Sequence, residues 1–323
     1  MKMKIKKPLV CVIVLNWNGE KIISQYIESM KKTDYPNYKL IIIDNGSMDK
    51  SKEVISKFKN VELVCLNQNI GYTSGFNYGW NYCLKKYSPK YICDMNSDVK
   101  VIQKEWLSLM VKELEKSKLR GICSNKTLAP NMFLETQHFD KEKSYLQKDV
   151  GQYDWVREVE IVGGTIMLIK NSVIQKIGGL DENFFFGPDD KDYCLRTRKE
   201  GFKIIFDGFS KAIHFGSLTG RSSDKNFIYL HQSYGLILYS LRHGTFLDFV
   251  KETLTQFLRI IVTKKNSFKG KKLSNLYFHK SFLSRAAIFV KSIFTALKNH
   301  KTVKASYSFK DIKKDINPKN TPN

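Results

Sequence analysis

Acidic side chains are scarce in this 323-residue chain: 31 Asp and Glu stand against 54 Lys and Arg, a formal charge of +23. Such a surplus predicts anionic partners: phosphates, nucleic acid or an anionic membrane surface. Cysteines at metal or redox spacing are missing. The six present, Cys11, Cys65, Cys83, Cys93, Cys123 and Cys194, form no CxxC, and most stand in apolar runs. That excludes a disulfide framework and a zinc site and predicts reduced thiols in a cytosolic setting. No uncharged apolar run reaches the roughly 18 residues of a membrane-spanning helix, so an integral protein is not expected. Walker and dinucleotide glycine loops are absent, which removes the common nucleotide-binding motifs. No internal repeat is visible.

What is present is globular. Hydrophobic residues make up 42% of the chain, enough to bury a sizeable core and to exclude wholesale disorder. The start, MKMKIKKPLVCVIVLNWNG, imitates a secretion signal, but its apolar run from Pro8 to Leu15 is short and Asn-Trp-Asn-Gly follows. A buried first strand is the better reading. Strands are expected over 10–15, 39–43, 61–66 and 91–95, with helices over 21–32, 49–59 and 74–86 between them. This alternation implies βαβ units and a doubly wound parallel sheet. A helix is expected over 104–119, a polar excursion over 125–158, and a strand over 161–169 after Gly163-Gly164. Helices over 171–177 and 190–200 and a strand over 202–206 follow, and the pattern is helical from Ile228 onward.

Ligands of such sheets bind at the carboxyl ends of the strands, so the polar residues there carry the functional reading. The first two strands end in Asn16-Trp17-Asn18-Gly19 and Asp44-Asn45-Gly46-Ser47. Each is an ordinary turn former; side by side they form a polar pocket in which Asp44 can accept from a base N–H or ribose hydroxyls. After the third strand, Gly71 and Gly75 permit close backbone approach, either to an anion at the helix start or for helix–sheet packing. The fourth strand ends Asp94-Met95-Asn96-Ser97-Asp98. Asp98 is placed to hold a hard divalent cation that bridges diphosphate oxygens, or to cap a turn. Asp94 is either a second ligand or a buried structural acid. Asp189, Asp190 and Asp192 exceed what helix capping needs, and crowded carboxylates raise one another's pKa, as suits a general base. His214 is then a candidate metal ligand and Arg221 a phosphate partner.

Taken in order, VCVIVLNWNG, YPNYKLIIIDNGSMDKS, NQNIGYTSGFNYG, the strand ending NSD, VGGTIMLIKNSVIQKIGGLDENFFFGPDDKDYCLRTRKEGFKIIFD and AIHFGS resemble the family 2 glycosyltransferases, in their bacterial rhamnosyltransferase-like branch. The likeness spans roughly residues 8–245. It implies a GT-A fold, Rossmann-like with a mostly parallel sheet flanked by helices, and an inverting, metal-assisted transfer from a UDP- or dTDP-linked sugar. On matching positions, Asn16, Asn18 and Asp44 would hold the nucleoside. Asn45, Gly71, Asn77, Asn96, Gly164 and Arg221 are expected to line the donor. Asp98 and His214 would hold Mg2+ or Mn2+ with the diphosphate, and Asp190, with Asp189 beside it, would be the base. The chain departs from the family at Asn96-Ser97-Asp98, often Asp-x-Asp, and at Asp189-Asp190, usually Glu-Asp. The segment after His214 also lacks a glycine common in the family.

Residues 1–245 are therefore expected to form the catalytic domain, with a nucleotide-binding half over about 8–100 and an acceptor half over 101–245. Residues 246–323 carry 17 Lys and Arg against 4 Asp and Glu. Apolar pairs such as Phe246-Leu247, Phe257-Leu258 and Ile260-Ile261 recur among them, the pattern of basic amphipathic helices on an anionic membrane. A helical cap on the core is the competing reading, and a homo-oligomer contact is a third. The implied acceptor is a cell-surface glycan or lipid-linked glycan, and the implied place is the cytoplasmic face of the cell membrane. A GT-A-like sugar-phosphate nucleotidyltransferase would need a basic Gly-rich loop near its start, and WNGEKI is not one. A non-catalytic nucleic-acid or membrane binder would explain the charge but not the acidic clusters, so no nucleic-acid partner is expected.

Overall fold

The computed structural model of the chain describes residues 7–135, 147–185, 187–216, 225–258 and 282–307. The first elements are β1 (Val10–Asn16), α1 (Ile23–Met30), β2 (Tyr38–Asp44), α2 (Ser51–Ser56), β3 (Val61–Cys65), α3 (Tyr72–Tyr87) and β4 (Tyr91–Asn96). Then come β5 (Val99–Val101), α4 (Trp106–Glu115), β6 (Arg120–Leu128), β7 (Val156–Val159), β8 (Ile166–Lys170) and α5 (Asn171–Ile177). The remainder is α6 (Asp189–Lys199), β9 (Lys203–His214), α7 (Lys225–His243), α8 (Phe246–Phe257) and α9 (Phe282–Asn299).

The β-branched run of β1 is apolar on both faces, so it needs cover on both sides. Its alternate residues divide between two cores. Val10, Val12 and Val14 share one with Tyr26, Ile27 and Met30 of α1. Cys11 and Ile13 share the other with Phe76, Trp80, Cys83 and Leu84 of α3. α3 lies close on the sheet because two of its residues lack a Cβ. One at Gly75 would meet Leu15 Cδ1 at 2.6 Å, and one at Gly79 would meet Ile13 Cγ2 at 2.8 Å.

The sheet runs β3-β2-β1-β4-β8-β6-β9-β5, with β7 pairing on β9. The expected α/β architecture is present, and parallel pairing is confined to β3-β2-β1-β4 and to β6 with β9. β8 is antiparallel to both β4 and β6, and β5 and β7 are antiparallel to β9.

The stretch read as a polar excursion holds the last four residues of β6 and the first three of β7. Ser124, Asn125, Lys126 and Thr127 in β6 are polar and all buried, so neither an apolar run nor alternation marks the strand. The Lys126 ammonium is wholly buried, 3.0 Å from Asp149 and also paired with Asp154. The strand expected over 202–206 extends to His214. Five of the six cysteines are buried, and Cys65 is exposed.

Helices α7, α8 and α9 gather around a third core. Phe184, Tyr234, Ile237, Leu238 and Ala296 are its buried members, and Phe249, Phe289 and Ile293 pack against it. α8 begins at a capping box in which Thr245 and Asp248 each satisfy the other's backbone N–H.

Candidate active site

The carboxyl ends of β1, β2 and β4 lie in register, Asn16 beside Asp44 and Leu15 beside Asn96. Asn16 Nδ2 donates to Asp44 Oδ2 at 2.8 Å and to Ser47 Oγ at 3.2 Å, while Ser47 N donates to Asp44 Oδ1 at 2.9 Å. Asn18, in the left-handed region with φ +50°, accepts from Met48 N through its side chain. These bonds zip the β1–α1 loop to the β2–α2 loop and fix the orientation of the buried Asp44 carboxylate.

Asn45 is spent inside the protein. Its Nδ2 donates to Asn69 Oδ1 and Gly71 O, and its Oδ1 accepts from Ile70 N. Asn77 is spent likewise, on Leu180 and Glu182. Both act as struts. Gly71 caps α3 at φ +96°, and a Cβ there would meet the Phe185 ring at 2.8 Å. Only glycine satisfies both conditions.

Across the sheet, β5 and β9 bring Asp98 to His214. Asp98 Oδ1 lies 3.1 Å from His214 Nε2, and Glu135 holds the other ring nitrogen, Nδ1, at 2.8 Å. Burial opposes charge on this imidazole, but its hydrogen bonds to the Asp98 and Glu135 carboxylates prevail and push it up to about 10. Asn96 Nδ2 stands 3.5 Å from the same Nε2. Among the described residues no group of three or more His, Cys, Asp or Glu could hold a metal ion by itself. A carboxylate and an imidazole, the latter oriented from behind by Glu135, do suit a divalent cation that draws its other ligands from a diphosphate, provided the cation displaces the proton from Nε2 and leaves the one on Nδ1 with Glu135.

The second acidic cluster faces the first across Tyr72. The Tyr72 hydroxyl lies 3.0 Å from Asn96 Oδ1 and 3.5 Å from Gly164 O, and Gly164 N donates to Asp190 Oδ2 at 3.1 Å. Burial, reinforced by Asp189, Asp94, Asp190 and Asp98, drives this phenol well above its usual range. Asp190 Oδ1 also accepts from Lys191 N. Burial and then Asp190 push the Asp189 carboxyl up to about 7. Asp94 accepts from Trp80 Nε1 at 2.7 Å, and burial raises it well above the usual carboxylate range. It is thus the buried, hydrogen-bonded acid of the two readings open from sequence. Burial would raise Asp192 as well, but bonds from His243 and Arg196 hold it low.

The structure therefore gathers Asn96, Asp98, His214, Gly164, Asp189 and Asp190 around Tyr72, with Asn16, Asn18 and Asp44 at the adjoining strand ends. Arg221 lies outside the described residues, as do Ile260 and Ile261. Sequence reasoning missed Tyr72 and Glu135. Tyr72 directly follows the helix-start glycine and was within reach; nothing in the chain's order points from residue 135 to residue 214.

A central sheet, flanked by helices, with carboxylates at the strand ends is the architecture of the GT-A glycosyltransferases. The mannosyltransferase PcManGT from Pyrobaculum calidifontis, solved with GDP-Man and Mn2+, shares it with a TM-score of 0.54 at 16% identity, over 90% of this chain and 73% of that one. The sequence pattern of glycosyl transferase family 2 matches residues 11–178, more than half of the chain. The chain belongs to glycosyl transferase family 2. Rhamnosyltransferase WbbL of Escherichia coli K12 is 22% identical over 66% of this chain and 86% of its own length. dTDP-rhamnosyl transferase RfbF of Shigella flexneri is 24% identical over 64% of this chain and 68% of its own length. The O-antigen biosynthesis protein RfbC of Myxococcus xanthus is 21% identical over 67% of this chain, which spans only 18% of that relative.

Proposed function

We propose that this protein transfers a sugar, with inversion, from a nucleoside-diphosphate sugar to a hydroxyl of a cell-surface or lipid-linked glycan. The observation that carries this reading is the facing of two unlike acidic sites, Asp98 with His214 and Asp189 with Asp190, across the Tyr72 hydroxyl. Asn16, Asn18 and Asp44 hold the nucleoside, with Asn45 and Asn77 keeping the surrounding loops in place. Asp98 and His214 would hold Mg2+ or Mn2+ beside the diphosphate, and a bound cation would neutralise the charge that grows on the leaving group. Asp190, with Asp189 beside it, takes the acceptor proton as that oxygen bonds to the anomeric carbon. The bond from that carbon to the diphosphate breaks in the same displacement, so the configuration inverts.

The names of WbbL and RfbF put dTDP-rhamnose first in a donor panel, with UDP sugars beside it. A nucleotide sugar that raises the melting temperature in the presence of Mn2+ is expected to release its nucleoside diphosphate slowly. Asp98→Ala and Asp190→Asn, with folding retained, are expected to abolish that release. Full turnover in both variants would sink the site assignment.

The exposed faces of α8 and α9 support contact with an anionic membrane from the cytoplasmic side. Leu247, Leu254 and Leu258 recur at helical spacing on one, and Val290, Phe294 and Leu297 on the other, all exposed. Lys251, Lys291 and Lys298 stand exposed among them, the composition of helices that lie on anionic lipid.

A further inference from the structure

We infer that the end of α7 and the segment after α9 are positioning elements of the catalytic site, gripping the loop that presents Asp189 and Asp190. The inference rests on those two acids serving as base and neighbour. Two consecutive residues of α7 take hold on either side of the pair. Arg242 bonds Asp181 ahead of it, with side chains 6% and 0% exposed. His243 Nε2 bonds Asp192 Oδ1 behind it at 2.7 Å, with side chains 8% and 1% exposed.

Arg242 is itself aimed by backbone carbonyls, donating to His300 O at 3.1 Å and Asn299 O at 2.8 Å. The chain beyond α9 then straps the same loop. Lys304 N donates to Asp181 Oδ1 at 2.9 Å, Glu182 N donates to Lys304 O at 2.7 Å, and Ser306 N donates to Glu182 Oε1 at 3.0 Å. On its other side the loop is held by α3, through Asn77 to Leu180 and Tyr72 N to Phe185 O. α7 also touches the turn just before the acids: a Cβ on Gly235 would meet Gly187 O at 2.5 Å and Pro188 Cδ at 3.0 Å. The first of those atoms is backbone and cannot swing away, so an added methyl must move the turn.

None of Gly235, Arg242, His243 or the strap lies among the residues assigned to the donor, so their effect passes through the geometry of Asp189 and Asp190. Displacement of a reacting group by about 1 Å costs on the order of 10²-fold in rate. Arg242 is a poor probe, because its loss strands a buried Asp181 carboxylate. Gly235→Ala and His243→Leu are the test variants, with His243→Gln retaining an N–H for Asp192. In the full chain, Gly235→Ala and His243→Leu are expected to lower kcat on order 10²-fold, with donor KM and Mn2+-dependent binding of the nucleoside diphosphate unchanged. His243→Gln is expected to recover most of the loss. Amide exchange is expected to quicken over 187–193 and to stay unaltered over 91–98.

Wild-type kcat in both variants, or a loss of kcat matched by lost binding and faster exchange throughout, would overturn the proposal. Should the wild-type protein turn over no nucleotide sugar, the glycosyl-transfer reading fails on its own. The exchange comparison still decides the grip: quickening confined to 187–193 supports it, and unchanged or uniform exchange refutes it.

Discussion

Asp189 is the residue whose surroundings say most about its work. Its carboxyl rises from the ordinary 3.8 to about 7 because it is buried and Asp190 is adjacent. Between those values the folded state keeps a proton that the unfolded chain has lost, so stability falls as pH rises through this window and levels off above it. Asparagine cannot titrate, so Asp189→Asn is expected to lose less stability than the wild type across the same window in urea titrations. Equal slopes would place the proton elsewhere. At this scale the sequence was most legible in placing polar side chains at element ends, with Asp98 after β4, His214 closing β9 and Asp190 in the first turn of α6. It was least legible where a partner arrives from far along the chain. Glu135 reaches His214 through folding that no local spacing encodes.

Among the elements, the apolar runs of β1, β2 and β4 and the helix spacing of α1 were readable because each face meets a hydrophobic core. β6 was not, since Ser124, Asn125, Lys126 and Thr127 are polar yet buried and leave no apolar pattern. Lys126 is the extreme case, a fully buried ammonium between Asp149 and Asp154. Removing one partner of a buried ion pair costs about 3–5 kcal/mol. Lys126→Ala is therefore expected to lower the unfolding free energy by that order in denaturant titration, and a loss too small to resolve would show that Lys211, already 2.9 Å from Asp154 and 3.6 Å from Asp149, suffices for both carboxylates. The antiparallel placement of β8 was also beyond the sequence. Pairing direction depends on how the chain returns to the sheet, and the apolar run IMLIK fits either direction.

Over the whole molecule, the surplus charge divides by position. Residues 246–323 hold more than half of the +23, on a region whose described helices keep apolar side chains in solvent. Among the described residues no helix is long and apolar enough to cross a membrane, so contact with lipid, as proposed above, would be lateral. The full chain is expected to float with vesicles containing phosphatidylglycerol and to stay behind with pure phosphatidylcholine vesicles. Phe294→Glu with Leu254→Glu is expected to abolish flotation while donor binding persists. Co-sedimentation as a dimer that these substitutions dissolve, without any flotation, would assign the same faces to self-association. The proposed Arg242 grip would also set the unit in which segments can be exchanged between members of the family. A splice at residue 245 would part Arg242 from its carbonyl partners at 299 and 300 and Asp181 from the amide of residue 304. A chimera that keeps the acid loop in place must carry the segment from Leu180 through Tyr307 as a single cassette.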